Sequence, residues 1–99
     1  MLFKKKIPID WNLNYEFIEW LNKWFKEYRK NAIKVVDLEY FTYKYRDKEL
    51  TQLQIIDRII ELTDILTDDN HRLDIGEEDI QRVDEVFDLF KLVFWNMWW

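Results

Sequence analysis

One glycine and one proline in 99 residues is the feature that most narrows the fold. Sandwiches and barrels are made of many short strands joined by tight turns, and those turns draw on glycine and proline. A chain whose only such residues are Pro8 and Gly76 has few tight turns and must run in long segments. Apolar material to pack them is ample, since 48% of residues are hydrophobic and 18% aromatic. A charged fraction of 35% and a mean hydropathy of −0.46 fit a folded, water-facing chain rather than a disordered one. The expected fold is therefore all-α: one domain over residues 1–99, a compact bundle of three to four helices behind an extended N-terminal segment.

Apolar periodicity places the elements. Residues 1–13 read as extended, because Pro8 disfavours helix at Ile7 and the apolar residues mostly alternate. A first helix is expected from Asn14, as N-cap, to Asn31, with Phe17, Leu21, Trp24 and Tyr28 facing the core and Ile18, Trp20 and Phe25 beside them. Residues 32–46 allow two readings. Ile33, Val36, Tyr40 and Tyr43 make a helical stripe, the preferred reading. Val36, Leu38 and Tyr40 alternate as in a strand, whose partner would be residues 2–9. The next helix carries Leu50, Leu53, Ile56 and Ile60, flanked by Ile59, Leu62 and Leu66. The last begins with Asp74 and Glu77 in a capping-box arrangement. Its seam is Ile80, Val83, Phe87, Phe90, Phe94 and Met97, widened by Val86, Leu89 and Val93.

Composition removes much chemistry. With no cysteine there is no disulfide, thiolate metal site or cysteine nucleophile, and a single histidine leaves little triad chemistry. Residues 1–50 carry 11 Lys/Arg against 8 Asp/Glu, whereas residues 51–99 carry 4 against 12. Phosphates would be repelled by the second half, so direct nucleic-acid binding is not expected. Lys4, Lys5 and Lys6 imitate the start of a signal peptide, but no apolar run of the needed length follows them. No stretch approaches the ~20 apolar residues of a membrane span, and a cytoplasmic setting is expected. Ala32 is the only alanine, while Ile, Lys, Asn, Asp, Phe and Tyr abound. That is the bias of A/T-rich codons, as in a low-GC bacterium or its phages.

Two features could carry function. Trp95, Trp98 and Trp99 crowd the chain end, and indoles are enriched where proteins grip partners. Asp57, Glu61, Asp64 and Asp68 fall at helical spacing in one acidic stripe, with Asp74, Glu78, Glu85 and Asp88 as a second row. The expected function is a non-enzymatic interaction module, a small bacterial or phage accessory or inhibitor protein. It would bind a protein partner or itself through Trp95, Trp98 and Trp99, with Asp57, Glu61, Asp64 and Asp68 steering the approach. No catalytic residue, cofactor or metal is assigned. An alternative is an acidic mimic of nucleic acid that blocks a basic enzyme.

A second alternative is an enzyme. Glu61-x-x-Asp64 and Glu85-x-x-Asp88 resemble the paired carboxylate signature of the MazG-like, all-α nucleotide pyrophosphohydrolases, though the first half reads E-x-x-D where the family has E-x-x-E. The resemblance covers about a third of the chain and implies magnesium held by Glu61, Asp64, Glu85 and Asp88. Residues 68–79 have the length of an EF-hand loop but depart from it at Arg72 and Leu73, where a ligand and a glycine are required. Tyr40, Phe41, Tyr43 and Tyr45 beside Lys44 and Arg46 resemble a base-stacking surface, but their spacing suits a half-buried rim.

Overall fold

The computed structural model describes residues 13–68 and 76–97. These are mostly helical, with a short two-stranded sheet. Helix α1 spans Leu13–Ala32, strands β1 and β2 span Thr42–Tyr45 and Lys48–Thr51, helix α2 spans Gln52–Leu66, and helix α3 spans Glu77–Val93. A 3₁₀ turn, Phe94–Asn96, follows α3 directly. Both α1 and α3 pack on α2. Phe17 meets Phe87 and Phe25 meets Phe90, so α3 runs in the same direction as α1, with α2 reversed beneath them.

The helix expected over residues 32–46 does not form beyond Ala32, the last residue of α1. Three of the four residues after Ala32 (Ile33, Val35 and Val36) are β-branched, which lowers helix propensity. Asp37 then accepts the Glu39 N–H on its carboxylate (3.0 Å), and its carbonyl accepts the Tyr40 N–H (3.2 Å), closing a turn in place of a helical rung. The strand that follows pairs with the next segment; residues 2–9, the partner expected from the sequence, lie outside the described residues. β1 and β2 are antiparallel, in register from Thr42 opposite Thr51 to Tyr45 opposite Lys48. Leu50, expected to open the second helix, lies in β2.

Helix α2 starts where it does because its exposed N–H groups are all met. Thr51 is the N-cap: its hydroxyl accepts from the Gln54 N–H (3.1 Å), and its own N–H donates to the Gln54 side chain (2.9 Å). The Gln52 N–H donates to the Phe41 carbonyl (3.1 Å) and the Leu53 N–H to the Leu38 carbonyl (2.9 Å). The four donors that a helix start leaves open are thus satisfied, two by its own box and two by the preceding loop. The expected box at the start of α3 does not form in this way. Gly76 is the N-cap and makes no side-chain bond, and Asp74 lies outside the described residues.

The core is drawn from all three helices: Ile18, Leu21, Phe25, Tyr28 and Ala32 from α1; Ile55, Ile56, Ile59, Leu62 and Leu66 from α2; Val86, Leu89 and Val93 from α3. The seam expected on α3 is therefore rotated by about one residue, or ~100° of helix. Val86, Leu89 and Val93 are buried, while Ile80, Phe87 and Phe94 are exposed. On α1, Phe17 and Trp24 leave the expected stripe for the surface, while Ile18 and Phe25 enter the core. Short branched side chains suit close helix contact; longer rings are pushed to its margin.

The hairpin turn is unusual. Arg46 and Asp47 have φ of 48° and 63°, both in the left-handed region that two-residue hairpins require and that favours Asn-Gly. Arg46 and Asp47 hold that conformation against steric cost. Arg46 lies over the Tyr45 ring, 4.9 Å from its centroid. Replacing Arg46-Asp47 by Asn-Gly should raise the unfolding free energy by about 1 kcal/mol, read as a higher urea midpoint with an unchanged slope.

Candidate functional site

Two surfaces concentrate chemistry, and they lie on opposite margins of α1. The first is a polar seam against α2. Asn22 donates to the Thr63 hydroxyl (2.8 Å) and to the Asp64 carboxylate (3.0 Å). Lys26 pairs with Asp64 (2.8 Å), and Arg29 pairs with Asp57. The Tyr15 hydroxyl donates to the Thr67 carbonyl (3.3 Å). Asp57 and Asp64, two of the four expected partner-binding carboxylates, thus fasten α2 to α1. Glu61 pairs with Arg58 (2.9 Å), and Asp68 is exposed beyond the end of α2.

On the other side of α2, Arg58 grips Glu85 of α3 through two parallel bonds, Nε to Oε2 at 2.8 Å and Nη2 to Oε1 at 3.1 Å. These bonds hold the guanidinium even more firmly protonated than usual, and Glu61 adds to the effect. Glu61 and Glu85 therefore share an arginine. Asp64 lies with Lys26 at the α1 seam, and Asp88 is exposed on α3. The four carboxylates of the enzyme alternative are not brought together, and among the described residues no group of three or more His, Cys, Asp or Glu could hold a metal.

A buried polar cluster joins the hairpin, α2 and the chain end. Gln52 is buried at the first turn of α2 and donates to the Asn96 carbonyl (3.0 Å); the Asn96 amide donates to the Tyr43 hydroxyl (2.7 Å). Burial pushes the Tyr28 phenol up, and Gln52 beside it partly offsets the effect. Tyr43 and Tyr45 pack against the core, whereas Tyr40 and Phe41 are exposed and meet edge to face, so the expected tyrosine cluster is divided between inside and outside.

The second surface is aromatic. Phe17, Trp20 and Trp24 on α1 and Phe87, Phe94 and Trp95 at α3 and its 3₁₀ turn are all exposed, Trp20 at 52% and Trp95 at 71%. They form runs of touching rings. Trp24 meets Trp20, Trp20 stacks with Phe17 at 6.0 Å, and Phe17 stacks with Phe87 at 5.7 Å and 8°. Phe25 meets Phe90, which meets Phe94, which meets Trp95. Shallow hollows lie beside Phe17 and Trp20 and between Phe87 and Trp95. Trp95 was legible as a surface indole from the sequence; Phe17, Trp20, Trp24 and Phe87 were read as core or its flank. Their signal was present: the apolar arc of α1 is wider than one neighbour can cover. Trp98 and Trp99 lie outside the described residues.

Comparison of the chain with protein-family models, with curated proteins and with solved structures finds no match. No helix among the described residues is long and apolar enough to cross a membrane.

Glu85→Ala removes both bonds from Arg58 to α3 but leaves its bond to Glu61, so it should cost about 1 kcal/mol, more than Lys26→Ala at the half-exposed seam. Urea unfolding of the two variants gives the comparison. The Tyr45 hydroxyl is buried with no hydrogen-bond partner, and burial raises its pKa from 10.0. A phenol held neutral in the fold but free to ionise when unfolded makes stability fall as pH rises above about 10. Tyr45→Phe should leave stability at pH 7 equal or higher and make that alkaline decline shallower, measured by denaturant midpoints from pH 8 to 11.

Proposed function

We infer that this chain is a non-enzymatic interaction module whose binding surface is the aromatic face of α1 and α3. One observation carries the reading: six large rings from separate stretches of sequence stand exposed and nearly continuous on one side of a well-packed core. Contiguous apolar surface of several hundred Å² is rare on isolated proteins and marks places where something docks. Aromatic side chains also suit protein partners, since they cover much area at little cost in side-chain entropy. The indoles of Trp98 and Trp99 follow Trp95 in sequence and belong to the same proposal.

The acidic stripe takes a smaller part. Asp57 and Asp64 are engaged with α1, so steering of a partner falls to the exposed charges that border the rings: Glu16, Glu19 and Lys23 on α1, and Asp88 and Lys91 on α3. These carry both signs, which suits a partner of matching mixed charge rather than a polyanion. Bacterial or phage origin and a cytoplasmic setting remain part of the proposal on composition alone.

The test is a triple variant, Trp20→Ser, Phe87→Ser and Trp95→Ser. With these residues exposed at 43% or more, its unfolding free energy should stay within about 1 kcal/mol of wild type. Its enhancement of anilinonaphthalene sulfonate fluorescence, a probe of exposed apolar surface, should fall several-fold. A variant that unfolds would identify the rings as structural core and overturn the reading.

A further inference from the structure

One acid and one lysine on each of the two helices of the aromatic face repeat with the same spacing and the same order. On α1, Glu16 and Lys23 are seven residues apart; on α3, Asp84 and Lys91 are seven apart. Seven residues are close to two helical turns, so each pair lies on one side of its helix. All four are exposed, and none forms an ion pair among the described residues, although the Lys23 ammonium lies 5.6 Å from the Trp24 ring centroid. Within each helix the acid is too far from the lysine to pair with it. An acid seven residues before a lysine becomes complementary when an identical helix is laid across it antiparallel. The acid of each copy then meets the lysine of the other, twice over.

The two helices are compatible with one symmetry centre. The α1 charges are centred between residues 19 and 20, and the α3 charges between residues 87 and 88. Phe17 meets Phe87 and Phe25 meets Phe90, so the level of residues 19 to 20 on α1 falls between about residues 84 and 90 on α3. The α3 centre lies inside that span. Because α1 and α3 run in the same direction, a single two-fold axis can pair α1 with α1 and α3 with α3 antiparallel. The apolar residues obey the same axis. Ile80, Phe87 and Phe94 are the exposed large apolar residues of α3 and its adjoining turn at spacings of seven, so Phe87 meets its copy and Ile80 meets Phe94. On α1, Phe17 and Trp20 flank the axis.

We propose that the occupant of the aromatic face is a second copy of this chain, docked face to face about a two-fold axis near Phe87, with Glu16 opposite Lys23 and Asp84 opposite Lys91. This rests on the reading of that face as a binding surface and names what binds it. Six rings at roughly half exposure offer about 100 Å² each, or roughly 600 Å² per copy. The bordering side chains bring this near the ~800 Å² per partner of a stable interface. The contact is isologous, so it closes at two copies and leaves no repeating surface for a filament.

Light scattering behind size exclusion on the full chain, from micromolar to millimolar, should give about twice the 12.6 kDa chain mass. Lys23→Glu with Lys91→Glu makes every crossed pair acid against acid, and Glu16→Lys with Asp84→Lys makes every one basic. Each variant alone should run as a monomer, with self-affinity lowered about 100-fold or more. Mixed in equal amounts they should form a one-to-one heterodimer, which also verifies that both are folded. A wild type that stays monomeric throughout overturns the self-pairing and leaves the binding face to the serine variant. A dimer that survives in the all-acid variant, or a mixture that fails to associate, overturns this geometry.

Discussion

The structure depends on how helix α2 begins. Its first four N–H groups would each be costly to leave unmet at a partly buried helix start, and every one has an acceptor within 3.1 Å. Two of those acceptors, the carbonyls of Leu38 and Phe41, belong to the loop and strand edge that precede the helix. This fixes the hairpin against α2, and Gln52 in the same turn of helix reaches onward to the chain end at Asn96. From that fixed start α2 presents apolar residues on two sides, so one helix serves as the floor for both of its neighbours.

The division of labour on α1 follows. One margin meets α2 and carries Asn22, Lys26 and Arg29, which find the acids of α2. The other leans toward α3, and there the side chains are rings. With only three helices, nothing in the described structure lies across the outer side of those rings.

The helices were legible in the sequence because their apolar spacing is regular and their ends are marked; α1 matches its expected bounds within about a residue. The hairpin was hidden for a definite reason. Its turn uses Arg46-Asp47 where Asn-Gly would have announced it, and Leu50 fits a helical stripe as readily as a strand. Thr51-x-x-Gln54 is a capping box written plainly in the sequence, and it would have started α2 at the right residue. The acidic stripe was legible as a stripe, but periodicity along one helix cannot say that Lys26 and Arg29 of another will face it. Nor could it choose between two apolar rows on α3 a single residue apart. Side-chain length chose, since Val86, Leu89 and Val93 fit against α2 while the rings reach past it.

The two boundaries of α1 differ in kind. Toward α2 it is held by bonds with direction, where a shift of one residue would part Asn22 from Thr63 and Arg29 from Asp57. Toward α3 it is held by ring on ring, and flat apolar faces tolerate sliding with little loss of contact. The protein is thus a hinge-stiff pair, α1 with α2, beside a third helix whose height is set by its own grip on α2 through Arg58 and Glu85. The spacing of the rings is therefore set at a distance, by an arginine and a glutamate that touch none of them, and releasing that one bond would let α3 move along α1 while the hydrogen-bonded half of the molecule stays as it is.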